Sequence, residues 1–207
     1  MATVWTFGDS NTDGFRSSDL WARQYVEWKG YQPKVYGEII AEKLDFELVN
    51  LGKGGSDNYT IFETFCASIG KIRKNDIIIF GWSSPLRYRL VNFRGNWKSI
   101  LPTINLNDKS LQHISTNTID EMLLNRNHRL YSIEVNNWIR LINLAFKDNI
   151  IVHWTSFQCE IDAIYVGTGR IALETNNEIV DGHFSEKGHL ELSEILMSTF
   201  IKNKKLI

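Results

Sequence analysis

A serine lies among turn-forming residues where an apolar segment ends near the amino terminus. The segment TVWTFGDSNTDGF, residues 3–15, alternates apolar residues up to a glycine and then continues with Asp9, Ser10 and Asn11. Such residues are expected at any ordinary exit from a strand into a loop. Open α/β sheets, however, place their catalytic residues at the carboxyl ends of strands. Ser10 is therefore a candidate nucleophile, and its assignment depends on partners elsewhere in the chain.

A segment near the carboxyl terminus contains the partners that a serine nucleophile needs. Asp181 and His183 precede Ser185, which has the character of a helix N-cap. A serine hydroxyl is a poor nucleophile at neutral pH, so an imidazole must take its proton, and a carboxylate usually orients that imidazole. We expect His183 to be the general base and Asp181 to orient it. Two other histidines are not expected to catalyse: His153 lies within an apolar run and is predicted to be a core residue, and His189, four residues into the last predicted helix, is predicted to pack or to make surface contacts.

A glycine-rich segment, NLGKGGSDN at residues 50–58, is the third segment that could contribute to a catalytic site. It has the composition of a flexible connection from strand to helix, and it lacks the Gly-Lys-Ser/Thr ending of a phosphate-binding loop. Its glycines also allow the backbone to approach a ligand closely, so that an N–H group can face a developing oxyanion. Beside a serine nucleophile, the second role is the more coherent one.

Four short apolar runs predict the strands that would position these residues. The runs are Val4–Gly8, Phe46–Leu51, Ile77–Trp82 and Ile150–Thr155. Between and after them, apolar residues three or four apart predict helices. These helices cover residues 35–44, 61–72 and 130–145 and the segment after Ser185. Strands alternating with helices predict a parallel sheet covered on both faces, in a three-layer α/β domain.

Three segments without a regular pattern follow predicted strands, at residues 14–32, 86–128 and 156–182. We expect them to gather at the carboxyl edge of the sheet, where long loops are often functional. The second is interpreted as an insertion within a single domain that spans residues 1–207. Aromatic residues in these segments, including Trp21, either cover the core or line a substrate groove.

Composition excludes several classes of function. Apolar residues make up 43% of the chain and charged residues 23%, which is typical of a globular protein, and the net charge of −1 provides no field for gathering nucleic acid. No apolar run approaches the roughly 20 residues that span a bilayer, and no signal peptide is visible. The cysteines, Cys66 and Cys159, have no metal-ligand or disulfide pattern. We expect a cytoplasmic protein without a metal or cofactor, with Cys66 a buried thiol.

Together these segments resemble the SGNH, or GDSL, hydrolase family. The resemblance rests on FGDSNTDG at 7–14, NLGKGGS at 50–56, GWSS at 81–84 and DGHFSEKGH at 181–189, which occur in the family's order. It implies a flavodoxin-like fold in which Ser10 is the nucleophile and His183 is the base. It also implies an oxyanion hole formed by the backbone N–H groups of Ser10 and Gly55.

Two positions depart from the family pattern. The family's third block carries an asparagine whose amide completes the oxyanion hole, whereas Ser83 occupies that place here. Ser83, Asn58 or Asn11 is the candidate third donor, and loss of one such donor can cost about 3–4 kcal/mol of transition-state stabilisation. The family aspartate is more often three residues before the histidine, whereas Asp181 is two before His183. Asp181 is still the best candidate for the orienting carboxylate.

The sequence therefore predicts a serine hydrolase that cleaves carboxylic esters through an acyl-enzyme. The substrate would be a small-molecule or glycan ester, with a short acyl group such as a carbohydrate O-acetyl ester. Two alternatives stay open. The same triad would serve an acyltransferase with a sugar hydroxyl as acceptor, and a decayed oxyanion hole at Ser83 would suit a non-catalytic binding module. No feature of the sequence specifies an oligomeric state.

Overall fold

The computed structural model describes residues 1–85, 87–91, 97–100, 128–167 and 183–202. The strands in this part of the chain are β1 (Thr3–Gly8), β2 (Glu47–Asn50), β3 (Ile77–Trp82), β4 (Tyr88–Val91), β5 (Trp97–Ile100), β6 (Ile150–Thr155) and β7 (Ile164–Tyr165). The helices are α1 (Ser10–Asp13), α2 (Leu20–Lys29), α3 (Tyr36–Leu44), α4 (Asn58–Ser68), α5 (His128–Ala145) and α6 (Glu186–Lys202). Short 3-10 turns follow α1 and α4, at Gly14–Arg16 and Ile69–Lys71.

Five of these strands form one parallel sheet in the order β2-β1-β3-β6-β7. In the register of β1 and β3, Gly8 lies beside Gly81, and Trp82 of β3 lies beside Thr155 of β6. The residues that follow these strands therefore emerge side by side at one edge of the sheet. The four predicted strands are confirmed. β7 was not predicted, because two residues are too short to show an alternating pattern.

Helices cover both faces of the sheet, because successive residues of β1 and β3 point to opposite sides. On one face, α3 and α6 pack against alternate strand residues such as Val4 and Ile79. On the other face, α4 and α5 pack against Phe7 and Phe80. Each fully buried side chain of this size contributes about 1.5–3 kcal/mol to folding. The predicted three-layer α/β architecture is confirmed, and none of the helices in the described ranges is long and apolar enough to span a membrane.

Two sequence predictions are wrong in detail. Part of the segment expected to be irregular forms α2, which ends at Gly30 in a left-handed conformation with φ +73°. Only Ala22 and Tyr25 of this helix are fully buried, so its apolar pattern is weak. Cys66 is exposed rather than buried, since the buried face of α4 passes through Ile61 and Phe65 instead.

The hairpin formed by the antiparallel strands β4 and β5 lies at the start of the predicted insertion. Residues 101–127, which make up most of that insertion, lie outside the described part of the chain. The extent of the insertion and the division of the chain into one domain stay predictions. The start of α6 agrees with expectation, because the Ser185 hydroxyl oxygen accepts a hydrogen bond of 3.1 Å from the Gly188 N–H, as an N-cap does.

Candidate active site

Ser10 is the first residue of α1, directly after the sharp turn that ends β1. The turn is closed by Asp9, whose carboxylate accepts a hydrogen bond of 3.0 Å from the Asn11 N–H. Thr12 packs its hydroxyl over Gly8, where a Cβ atom would overlap with Thr12 Oγ1. The chain can therefore turn this tightly only because Gly8 has no side chain. Ser10 is left at the carboxyl edge of the sheet, with 4% of its surface exposed.

The imidazole of His183 lies next to this serine. The distance from His183 Nε2 to Ser10 Oγ is 2.8 Å, although the two residues are 173 positions apart in the sequence. Because a neutral imidazole can accept a proton at Nε2 from the hydroxyl, this is the geometry of a serine nucleophile with its general base. The structure thus brings together two of the predicted site residues. Their catalytic roles stay predictions.

Two hydrogen bonds fix the backbone that follows His183. The Phe184 N–H donates to Asn11 Oδ1 at 3.2 Å, which joins this segment to the serine turn. The Glu186 N–H donates to the hydroxyl of Tyr25 at 3.1 Å, which joins it to α2. The side-chain oxygen of Asn11 thus holds the segment that carries the base, and the role of its amide N–H groups as a third oxyanion donor stays a prediction. The position of Asn11 directly after Ser10 is the only sequence signal for its contact with that segment.

The glycine-rich segment after β2 lies against the serine turn. The side-chain amide of Asn50 donates to the Thr12 carbonyl oxygen at 2.9 Å, and the Gly54 N–H donates to Asp13 Oδ2 at 3.1 Å. Gly55 adopts φ +77°, in the left-handed region that favours glycine. No hydrogen bond joins the Gly55 N–H to another described residue. The predicted role of Gly55 as an oxyanion donor is compatible with this arrangement and stays a prediction.

Ser83 and Asn58, the other candidate oxyanion donors, bind each other, and Ser83 also binds Asp9. The Ser83 hydroxyl donates to Asp9 Oδ2 at 2.8 Å. The Asn58 side chain accepts from the Ser83 N–H at 2.7 Å and donates to the Ser83 carbonyl oxygen at 3.1 Å. All three side chains are buried, and their bonds join the loops that follow β1, β2 and β3. The Ser83 hydroxyl is thus already bonded to Asp9, whereas the Asn58 amide uses one of its two N–H groups, and a role of Asn58 as third donor stays a prediction.

The remaining predicted site residue, Asp181, lies outside the described residues. Its role in orienting His183 therefore stays a prediction from the sequence. His183 itself is half-buried. Its ring contacts Ser10 through Nε2 and stacks on Trp21 of α2. The described part of the site thus consists of the serine, the imidazole and the three loops that hold them at the edge of the sheet.

Two other histidines, His153 and His189, are core residues, as predicted for His153, whereas packing or surface contact was predicted for His189. His153 Nδ1 accepts a hydrogen bond of 3.2 Å from Trp82 Nε1, so its Nε2 carries the proton and faces Asn143 Oδ1 at 3.3 Å. His189 is fully buried, and the Tyr36 N–H points at its Nδ1 at 3.4 Å. Burial lowers the pKa of each imidazole to about 3. Both are therefore neutral at physiological pH and are enclosed by the core.

Comparison with known proteins places this fold among solved structures. No protein-family model and no curated protein sequence matches the chain. It is similar to a carbohydrate esterase whose active site displays divergent catalytic and non-catalytic binding functions, with a TM-score of 0.51 and 11% identity over 97% of this chain and 65% of that one. A lipolytic protein assigned to the G-D-S-L family, from Desulfitobacterium hafniense DCB-2, gives a TM-score of 0.41 and 14% identity over 96% of this chain and 99% of that one. The chain therefore shares the α/β fold of this carbohydrate esterase.

Proposed function

We propose that this protein is a serine hydrolase that cleaves carboxylic esters through an acyl-enzyme. The observation that supports the proposal is the contact of 2.8 Å between Ser10 Oγ and His183 Nε2 at the carboxyl edge of the sheet. A hydroxyl and an imidazole at this distance can transfer a proton as the hydroxyl oxygen attacks. Each is held by a different part of the fold, so the pair is positioned before substrate arrives.

The reaction would proceed in two halves. Ser10 Oγ attacks the ester carbonyl carbon while His183 Nε2 takes its proton, and the tetrahedral intermediate collapses when His183 returns that proton to the leaving alcohol. A water molecule then gives a proton to His183 and attacks the acyl-enzyme, which releases the carboxylic acid and restores Ser10. Asp181 would orient the imidazole throughout. Neither half requires a metal or a cofactor.

The oxyanion hole is proposed to have two backbone donors, the N–H groups of Ser10 and Gly55. The proposal includes no third donor, because the hydroxyl of Ser83 is bonded to Asp9 and the amide of Asn58, which has one N–H group left over, is held against the Ser83 backbone. The missing donor is worth about 3–4 kcal/mol in enzymes of this kind, so we expect a slow enzyme. The same observation favours a second candidate function, a binding module that retains the serine and imidazole without useful turnover.

The proposed substrate is a short-chain ester, such as an O-acetyl group on a carbohydrate. Tyr31, which follows α2, has an exposed ring of the kind that stacks on a sugar face. The structural similarity to a carbohydrate esterase agrees with this choice without deciding it. Transfer of the acyl group to a sugar hydroxyl would use the same residues, and product analysis with and without sugar acceptors separates transfer from hydrolysis.

Covalent labelling tests the proposal. A fluorophosphonate probe should modify the wild-type protein, and peptide mapping should locate the adduct on Ser10. Ser10→Ala should abolish the adduct, whereas Ser198→Ala, which changes an exposed serine on α6, should label as the wild type does. Labelling of a folded Ser10→Ala protein would contradict the proposed nucleophile. A wild-type protein that labels but hydrolyses no activated acetyl ester would favour the binding module.

A further inference from the structure

The indole ring of Trp21 lies flat against the imidazole of His183. Their ring centroids are 3.8 Å apart and their planes differ by 7°. Among the other described ring pairs, the smallest centroid separation is 4.7 Å, between Phe15 and Tyr25. A parallel contact this close restricts rotation of the imidazole about its bond to Cβ. That rotation determines whether Nε2 points at the hydroxyl of Ser10.

Helix α2 holds Trp21 in this position. Trp21 and Tyr25 are four residues apart on α2 and therefore lie on the same face of the helix. Tyr25 stacks on Phe15 and accepts the hydrogen bond from the Glu186 N–H, three residues after His183. One face of α2 thus contacts the imidazole through its first turn and the backbone after His183 through its second. The ring and the backbone of the base are located by the same helix.

We propose that Trp21 is a positioning residue that aims the His183 imidazole at Ser10 and stabilises its protonated form. The inference rests on the proposed hydrolase function and adds to it a residue that contacts the base rather than the substrate. His183 carries a positive charge whenever it holds the serine or water proton, and an aromatic face attracts a cation that lies over it. Trp21 should therefore act on the rate of proton transfer and leave substrate affinity unchanged.

The indole N–H of Trp21 contributes no hydrogen bond to the described part of the site. Trp21 Nε1 is buried and has no hydrogen-bond partner in the described part of the chain. Replacement by phenylalanine therefore breaks no hydrogen bond to the described residues, and it keeps an aromatic face over the imidazole. Replacement by leucine removes that face but keeps an apolar side chain. The pair Trp21→Phe and Trp21→Leu separates the aromatic face from simple filling of space.

The matched control is Trp28→Leu on the same helix. The ring of Trp28 contacts Tyr25 and Lys29 rather than His183. Each variant would be compared with the wild type in the rate of phosphonate labelling at Ser10, in kcat and KM on an activated acetyl ester, and in the NMR shifts of the His183 ring protons. Those protons should lie upfield in the wild type, because they sit over the indole face.

We expect Trp21→Leu to lower the labelling rate and kcat by about 10- to 100-fold, with KM changed by less than about twofold, and to remove the upfield shift. Trp21→Phe should keep most of both, and Trp28→Leu should match the wild type. Thermal unfolding would verify that each variant is folded. If Trp21→Leu does not fold, Trp21→Met serves as the second variant that lacks an aromatic face.

The outcomes separate this inference from the proposed function. If the wild type labels at Ser10 and Trp21→Leu loses the upfield shift but labels and turns over at the wild-type rate, the positioning role is overturned and the hydrolase stands. A raised KM with an unchanged kcat would also overturn it, because Trp21 would then bind substrate. If the wild type does not label at all, the hydrolase proposal fails and the positioning role fails with it.

Discussion

Two serines occupy equivalent places at the carboxyl edge of the sheet, and their surroundings give them different roles. Ser10 and Ser83 each lie two residues after a glycine, and those glycines, Gly8 and Gly81, are paired in the register of β1 and β3. The hydroxyl of Ser10 faces an imidazole, whereas the hydroxyl of Ser83 donates to the carboxylate of Asp9. An imidazole can remove a proton in the reaction, while this carboxylate holds its hydroxyl in a buried bond. The acceptor, and not the position at the strand end, distinguishes the proposed nucleophile from a structural residue.

The largest expected difference between the two serines is in turnover. Ser10→Ala should lower kcat by about 10³- to 10⁶-fold, because the nucleophile is lost, and His183→Ala should lower it by a similar factor. The double variant should be little worse than either single one, since the two side chains act together. Hydrolysis of an activated acetyl ester by folded protein measures this. Strictly multiplicative losses would contradict a shared step.

Ser83→Ala should affect stability more than catalysis. The change leaves the buried Asp9 carboxylate without one hydrogen bond, which costs about 1–3 kcal/mol of unfolding free energy. We expect kcat to fall less than about tenfold, because the Ser83 hydroxyl is not proposed as an oxyanion donor. Loss of such a donor would lower kcat about 10²- to 10³-fold. Chemical denaturation and steady-state kinetics on the same samples separate these cases. A stable variant with a 100-fold loss of kcat would indicate that the Ser83 hydroxyl does donate to the oxyanion.

A smaller contrast concerns three described histidines, because His183 faces a hydroxyl at the sheet edge whereas His153 and His189 lie in the core. Burial lowers the pKa of His153 and His189 to about 3, so the native state keeps them neutral while the unfolded chain binds protons below about pH 6.5. Their contribution to stability is therefore complete above about pH 6.5 and falls as the pH drops toward 3, by about 1.4 kcal/mol per pH unit for each.

The variant His189→Phe tests this pH dependence. Its denaturation midpoint should fall less steeply than that of the wild type between about pH 6.5 and pH 4.5, since one titrating group has been removed. Absolute stability can change in either direction, so the slope against pH is the relevant quantity. Identical slopes for the variant and the wild type would show that His189 is not held neutral in the native state.

The smallest expected effect on stability comes from the glycine-rich loop. Gly55→Ala places a side chain at φ +77° and should cost about 1–2 kcal/mol of stability. Gly30→Ala imposes a similar strain at φ +73°, at the end of α2. If the Gly55 N–H faces the oxyanion, only Gly55→Ala should also lower kcat. Equal kcat values for both variants would remove Gly55 from the oxyanion hole.

Much of this arrangement follows from local patterns in the sequence. The alternation in β1, the apolar run of β3 and the N-cap at Ser185 depend on residues within one element, and the structure contains all three. Helix α2 was missed because few of its side chains are buried, which leaves little periodicity to detect. Its face nevertheless contacts both the ring of the base and the backbone after it. Helix α2 therefore contacts the site at several points although its sequence pattern is too weak to predict a helix.

The sequence by itself determined where the strands end and hence that Ser10, Gly55 and Ser83 follow strands of one parallel sheet. The sequence also predicted His183 as the partner of Ser10, whereas tertiary structure alone decided that Asp9 binds the hydroxyl of Ser83 and that Trp21 lies against the ring of His183. Strand ends are visible in the sequence because burial on a sheet imposes a short period on neighbouring residues. The contacts of Ser83 with Asp9 and of Trp21 with His183 leave no such pattern, because these residues are far apart in the sequence and meet only when the loops and helices pack at the edge of the sheet.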